Sequence, residues 1–450
     1  MNKDRLGRIK EELEGIAEIL AEAPEIDRKL KIPGPEFRSR QQKVYEAVSA
    51  AGCEVGVVFS DEHYKGDVPY LGGNTNISIE QVAGAIGKTG FHIIAGLEGG
   101  YIAEQLSPRA GAVVHKVELL KLADEDYPVK AERLEDALEA AAGGRVKRVA
   151  LLTVRQVMPA ALVHYLEKAY GKKNVIDLQS AYQKLRYEKS ELEMRLTEEA
   201  TKIADTALSA MVSVLKPGML ETEVAAYGYM VCRMLGAEGD GFQVMVGSDQ
   251  ANRTLIGKAL NRPIQKGAFV HLGVSPQRDG LTACVRRSVV ALPAGKKPSE
   301  GQLFWFDLVE GAYREGFRAF CEVAEKNLPA RFQEEALVNY FRSRSELVSR
   351  KVGKKIDLAR LKPYTGTHNA GYTECQEFFG AITLHSDEPL GKRVVTMLDV
   401  ALRGFGDSWD EVIIPGFDYF VVENTLGKFG PEVRCFNQLP LRVQELVGRY

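Results

Sequence analysis

No stretch of this sequence runs long enough without a charge to cross a membrane; such a span needs roughly 18 consecutive apolar residues. The opening segment, "MNKDRLGRIKEELEGIAEILAEA", spaces its leucines and isoleucines as a helix does, but charges interrupt it throughout. It therefore lacks the apolar core of a signal peptide, and a cytoplasmic protein is expected. Cysteine is sparse: six residues, at positions 53, 232, 284, 321, 375 and 435, with no C-x-x-C pair among them. That spacing argues against a disulfide framework or a zinc ribbon, so the thiols are expected to be reduced, each by default a small buried apolar group. An excess of either charge is also missing. With 59 basic against 61 acidic residues the formal net charge is −2, which gives no reason to expect nucleic acid or an anionic membrane as partner. A small molecule or a short peptide is the expected partner instead.

What is present is a chain of 450 residues, 45% of them hydrophobic, enough to bury more than one core. From residue 40 to about 180, apolar runs such as "CEVGVVFS", "GFHIIAGL", "VKRVALLTV" and "KNVIDL" alternate with helical patterns such as "PEFRSRQQKVYEAVSAA", which describes an α/β domain. Around Gln179 to Ser190 the pattern changes to a charged connection leading into a long amphipathic helix. The boundary is therefore placed between residues 183 and 184, with the leading helix in the first domain (1–183). Beyond it, "FQVMVGS", "AFVHLGV", "TACVRRSVVAL", "RVVTMLDVALRG" and "FDYFVVENTL" read as strands, with helices from "ETEVAAYGYMVCRML", "LFWFDLVEGAYREGFRAF" and "PARFQEEALVNYFRSRSELVSR". An α+β domain over 184–450 follows. One apparent phosphate loop, "GAIGKTG" at 84–90, fails because the pattern needs a glycine where Val82 stands, leaving a glycine-rich turn.

Ligand-capable side chains stand in apolar strands or tight turns of the second domain: Cys284 in "TACVRRS", His368 in "THNAG", Asp399 in "TMLDVAL" and Glu423 in "YFVVENT". A carboxylate set in an apolar strand is costly without a cation, a donor or a proton. Taken singly, each reads more simply as a structural hydrogen-bonding residue; together, thiolate, imidazole and two carboxylates suit a divalent zinc or iron ion.

The segments "LRYEKSELEMRLTEEATKIAD", "LKPGMLETEVAA" and "VGSDQANRTLIGKALNRPIQKGAFVHLGVSPQRDGLTACVRRS" resemble the creatinase/aminopeptidase P family, and the resemblance extends over most of the chain. It implies a pita-bread catalytic domain behind the α/β domain. Family metallopeptidases hold a pair of metal ions with two aspartates, a histidine and two glutamates. By that resemblance the first aspartate falls at Gly273 and the second at Cys284; the histidine falls at His368, followed by Gly371, and the glutamates at Asp399 and Glu423. The implied centre is one divalent ion (zinc, iron or manganese) bound by Cys284, His368, Asp399 and Glu423. Where proline-specific relatives present histidines to substrate, this chain has Ile256, Tyr364 and Cys375. The candidate catalytic groups are then Cys375, Tyr364 and His271, the last two residues before Gly273 and readable either as a supporting histidine or as a ligand. Glu374, Gln376 and Glu377 are expected to be solvated or hydrogen-bonding neighbours; Arg287 matches a structural arginine of the family, and Arg286 has no assigned part.

Three functions are compatible with these residues. The first is a single-metal hydrolase related to Xaa-Pro aminopeptidases, cleaving an amide or other C–N bond in a peptide or small molecule. The second is a non-catalytic binding protein on the same fold. The third is a lyase or a metal-independent amidinohydrolase using Cys375 or His368. A homodimer is expected from the habit of the family.

Overall fold

The computed structural model of the chain describes residues 3–73, 81–121, 131–363 and 366–450. Tyr364, one of the candidate catalytic groups, lies outside them. Among the described residues no helix is long and apolar enough to cross a membrane.

The first half builds a six-stranded sheet from β1 (Val55–Ser60), β2 (Val82–Gly87), β3 (Gly90–Ala95), β4 (Val113–Lys116), β5 (Val149–Leu151) and β6 (Val175–Asp177). Its order is β4-β3-β2-β1-β5-β6, and β1 pairs in parallel with β5 and antiparallel with β2. The strands read as continuous apolar runs because helices cover both faces, with one core under Phe37, Val44 and Val48 and another under Leu134, Leu138 and Leu162. "GAIGKTG" is the β2–β3 hairpin and its turn.

The chain leaves this unit through the helix Gln179–Tyr187 and enters the second through Glu191–Val214. The second helix starts cleanly because Ser190 and Glu193 form a capping box, each side chain satisfying a backbone N–H that the helix leaves unpaired. The leading helix Lys3–Ala21 departs from the sequence-based division. It packs on the second unit, with Ile16 in the core under Glu191–Val214, Arg8 paired to Glu223 and Tyr227 donating to Glu12. Its amphipathic pattern predicts a helix but not which unit it covers.

The second unit is an antiparallel sheet of β7 (Gly239–Ser248), β8 (Phe269–Arg278), β9 (Leu281–Thr282), β10 (Val285–Val290), β11 (Thr367–Asn369), β12 (Arg393–Arg403), β13 (Tyr419–Phe429) and β14 (Glu432–Cys435). The main order is β11-β12-β13-β10-β8-β7. Two helix pairs back it. Glu191–Val214 and Glu221–Leu235 bury Val270, Leu272, Val274, Val285 and Val289, while Glu300–Lys326 and Arg331–Val352 bury Leu398, Val400, Leu402, Phe420 and Val422. Side chains alternate along a strand, so the intervening residues His271, Gly273, Arg286, Asp399 and Glu423 are turned to the opposite, inner face.

Candidate active site

Register turns that alternation into a row. Gly273 pairs with Arg286 across β8 and β10, Arg286 with Glu423 across β10 and β13, and Glu423 with Asp399 across β13 and β12. Two carboxylates directly opposite each other destabilise a sheet unless a cation intervenes. Here the cation is the neighbour in the row: Arg286 Nη1 donates to Asp399 Oδ2 at 2.9 Å and to Glu423 Oε2 at 3.3 Å. Its Nε donates to His271 Nε2 at 3.0 Å, and its Nη2 to the Leu255 carbonyl at 2.6 Å and the Tyr419 hydroxyl at 2.9 Å. Because Nε2 of His271 accepts, the proton of that neutral ring sits on Nδ1. Burial, reinforced by the adjacent guanidinium, holds His271 far below the usual histidine range. His271 thus supports Arg286 in this structure, in line with the supporting one of its two sequence readings.

Glycine at 273 is what admits Arg286. A β-carbon there would lie 2.9 Å from Arg286 Cγ, closer than side-chain atoms approach. Gly366 has a comparable part at the sheet edge, where a β-carbon would come within 2.6 Å of the Asp399 carbonyl oxygen. That close approach lets the short strand β11 pair with β12, setting His368 opposite Met397, beside the Asp399–Glu423 pair.

On the His368 side the donors converge without touching. His368 Nε2 lies 3.7 Å from Glu423 Oε1 and 3.8 Å from Glu374 Oε1, too long for hydrogen bonds. Glu423 is 1% exposed, yet its Oε1 has no hydrogen-bond partner. Ligand atoms of Cys284, Glu374 and Glu423 lie within 4.8 Å of one another, as do those of His368, Asp399 and Glu423. Around a tetrahedral ion with bonds of roughly 2.0–2.3 Å, donors sit roughly 3.3–3.8 Å apart. The donor types fit a divalent ion beside Glu423, the residue common to both groups, and Cys284 and His368 are brought together only through it. Asp399 stays beside this cluster, but one of its oxygens is committed to Arg286.

The protonation pattern agrees with a site built to exchange protons for a cation. Burial alone would lower His368, but Glu423, Glu374 and Asp399 outweigh it and push it up to about 9. Burial, then Glu423 and Glu374, push the Cys284 thiol well above its usual range. Burial also raises the Glu374 carboxyl, with Glu423 adding to the rise and His368 opposing it.

Glu374 corrects the sequence reading most. It is buried, not solvated, because its loop is pinned from outside the domain. Arg186, in the helix joining the two units, donates to both oxygens of Glu377 at 2.8 and 2.9 Å and pairs with Asp67 of the first unit. Glu377 in turn accepts from the Thr373 amide at 2.8 Å and its hydroxyl at 2.9 Å. Glu374, Cys375 and Thr373 line a small cavity together with His63 and Lys65 of the first unit. Cys375 is an exposed residue, but desolvation of its thiol and the neighbouring Glu374 carboxylate raise its pKa strongly. A thiol kept protonated is a poor nucleophile, so this environment does not activate Cys375. Ile256 points to solvent, 69% exposed, and does not line the site. Arg287 is structural as expected, donating to the Glu423 and Pro440 carbonyls at 2.8 and 3.0 Å. Arg286 was legible only in part: two residues after Cys284 it shares that residue's face, but nothing in the spacing places it against Asp399.

Residues 195–327 match metallopeptidase family M24. Among curated proteins, the chain is 26% identical over 207 residues to an Xaa-Pro dipeptidase of Pyrococcus horikoshii, a match covering 45% of this chain and 57% of that protein. It is 30% identical over 115 residues to an uncharacterized peptidase of Bacillus subtilis, covering 26% and 33%. The chain thus matches little more than half the length of one curated relative and a third of the other. Solved structures extend the likeness in shape. The prolidase from Pyrococcus horikoshii OT3 superposes with a TM-score of 0.68 at 16% identity, over 91% of this chain and 100% of that one. The X-Pro aminopeptidase from Thermotoga maritima superposes at 0.70 and 17% identity, over 90% and 99%. The second unit has the pita-bread fold of these structures, and the chain is similar, over the residues matched, to the creatinase/aminopeptidase P family.

Proposed function

We propose that the protein is a metal-dependent hydrolase of peptidase type, acting on the amide bond of a short peptide or a related C–N bond, with one divalent ion held by Cys284, His368 and Glu423. The observation that carries this reading is the buried Oε1 of Glu423, which accepts no hydrogen bond and faces His368 Nε2 at 3.7 Å, in a carboxylate also grouped with the Cys284 sulfur. Three protein ligands with an open position are the pattern of catalytic rather than structural ions, and thiolate with imidazole favours zinc or iron over manganese. When bound, such an ion polarises a carbonyl and lowers the pKa of water. Glu374 is the proton-handling group: it groups with Cys284 and Glu423, and its raised pKa brings its acid and carboxylate forms toward balance near neutral pH. Asp399 and Arg286 hold Glu423 in place from behind.

The test is elemental analysis of protein purified without a metal-affinity column, beside Cys284→Ser and His368→Ala, followed by hydrolysis assays on a dipeptide panel that includes Xaa-Pro substrates, with and without chelator. About one ion per chain in the wild type, lost in both variants together with hydrolysis, is the expected result. A wild type without metal that hydrolyses nothing would sink the proposal. It would favour the second reading, a non-catalytic member, which has one observation in its support: Arg286 and a protonated His368 already balance Asp399 and Glu423 without an ion.

A further inference from the structure

We infer that Arg286 is a resident cation: its guanidinium holds the position between His271, Asp399 and Glu423 that a divalent ion would otherwise take, and so limits the centre to the neighbouring position. An imidazole nitrogen and two carboxylate oxygens aim at the guanidinium from 3.0, 2.9 and 3.3 Å, and these are the donor types that bind zinc, iron and manganese. All three residues are buried, so the charge balance there is set by what lies between them. An arginine cannot shed its proton in a protein, which makes this a permanent charge that no chelator removes.

Two features keep the side chain there. Gly273 leaves the space along its stem, where a β-carbon would stand 2.9 Å from Cγ and 3.6 Å from Cδ fits only a bare backbone. Behind it, the Leu255 carbonyl accepts from Nη2, and Leu255 holds a left-handed φ of 65°, an uncommon conformation for a residue other than glycine. The guanidinium also fixes Glu423 by engaging Oε2, which leaves Oε1 for the other side. Arg286 is in this sense a positioning residue for Glu423 and the residue that sets how many ions the centre takes.

The experiment counts bound ions. Wild type, Arg286→Met and the double variant Gly273→Asp/Arg286→Thr are titrated with Zn²⁺ and with Mn²⁺, using calorimetry and elemental analysis after gel filtration, with thermal unfolding followed in parallel. The variants are expected to take up about one more ion per chain than the wild type, and to gain more thermal stability from it. Folded variants that bind only as many ions as the wild type would overturn the inference. So would a wild type that itself takes up two, whether or not the variants fold; only where the variants fail to fold does a wild type that saturates at one or none uphold it. The inference takes the adjacent cluster as the site of the proposed function, but the count is a difference. A wild type with no ion defeats that function, whereas a gain of about one ion in the variants still upholds the resident cation.

Discussion

The two oxygens of Glu423 look onto opposite environments. Oε2 meets Arg286, whose three nitrogens reach Asp399, His271, Tyr419 and the Leu255 carbonyl. Oε1 lies 3.7 Å from His368 Nε2 and accepts no hydrogen bond, while Cys284 and Glu374 place ligand atoms within 4.8 Å of the same carboxylate. The first side is closed by a charge the chain carries itself; the second gathers donors around a gap. The difference teaches that one buried carboxylate can serve structure with one oxygen and chemistry with the other, and that changes on the two sides should be read by different instruments.

The strongest way to break the comparison is Arg286→Met, which leaves Asp399 and Glu423 opposite each other with no cation. Chemical denaturation in chelator should report a loss of about 3–5 kcal/mol, the usual consequence of stripping one partner from a buried ion pair. A loss below about 1 kcal/mol would mean that the closed side is not closed by Arg286. On the open side, Glu374→Gln should keep the fold and the ion yet lower kcat by about 10²–10⁴-fold, as removal of a proton-transfer group does. Loss of the ion instead would reassign Glu374 as a ligand. Gly273→Ala sharpens the closed side: its β-carbon presses on Arg286 Cγ, and an overpacking cost of about 1–3 kcal/mol is expected in the denaturation midpoint. The smallest effect is a pH dependence on the open side. His368 titrates near 9 in the folded chain against an ordinary 6.5, so the fold binds that proton more tightly than the unfolded chain does. Its stabilisation is full below about 6.5 and is lost as pH rises through about 9. Urea midpoints of the metal-free protein should fall across that window, and His368→Gln should flatten the fall.

Much of this arrangement can be read from strand alternation. His271 and Gly273, Cys284 and Arg286, Asp399 and Glu423 all occupy the non-core parity of their strands, so a shared inner face was legible. Alternation is silent on which strands are neighbours, and the row from Gly273 to Asp399 exists only because β8, β10, β13 and β12 lie side by side. For that reason Gly273 read as a missing ligand, when it is also the space in which Arg286 lies. Glu374 was out of reach for a different cause. It sits in a loop without periodicity, and its burial is decided by Arg186 and by residues of the first unit. The placement of the leading helix on the second unit was hidden likewise, since an amphipathic stripe states that a face is covered but not by what.

The Arg186–Glu377 pair gives the boundary between the two units a mechanical meaning. Arg186 grips Asp67 with one nitrogen and Glu377 with the other, so the loop that carries Glu374 is fastened to the first unit as well as to its own sheet. Any rotation of one unit against the other would draw the Glu374 carboxyl along an arc while Cys284, His368 and Glu423 stay fixed on their strands. Where the Glu374 carboxyl lies against Cys284, His368 and Glu423 therefore depends on a contact that reaches into the first unit.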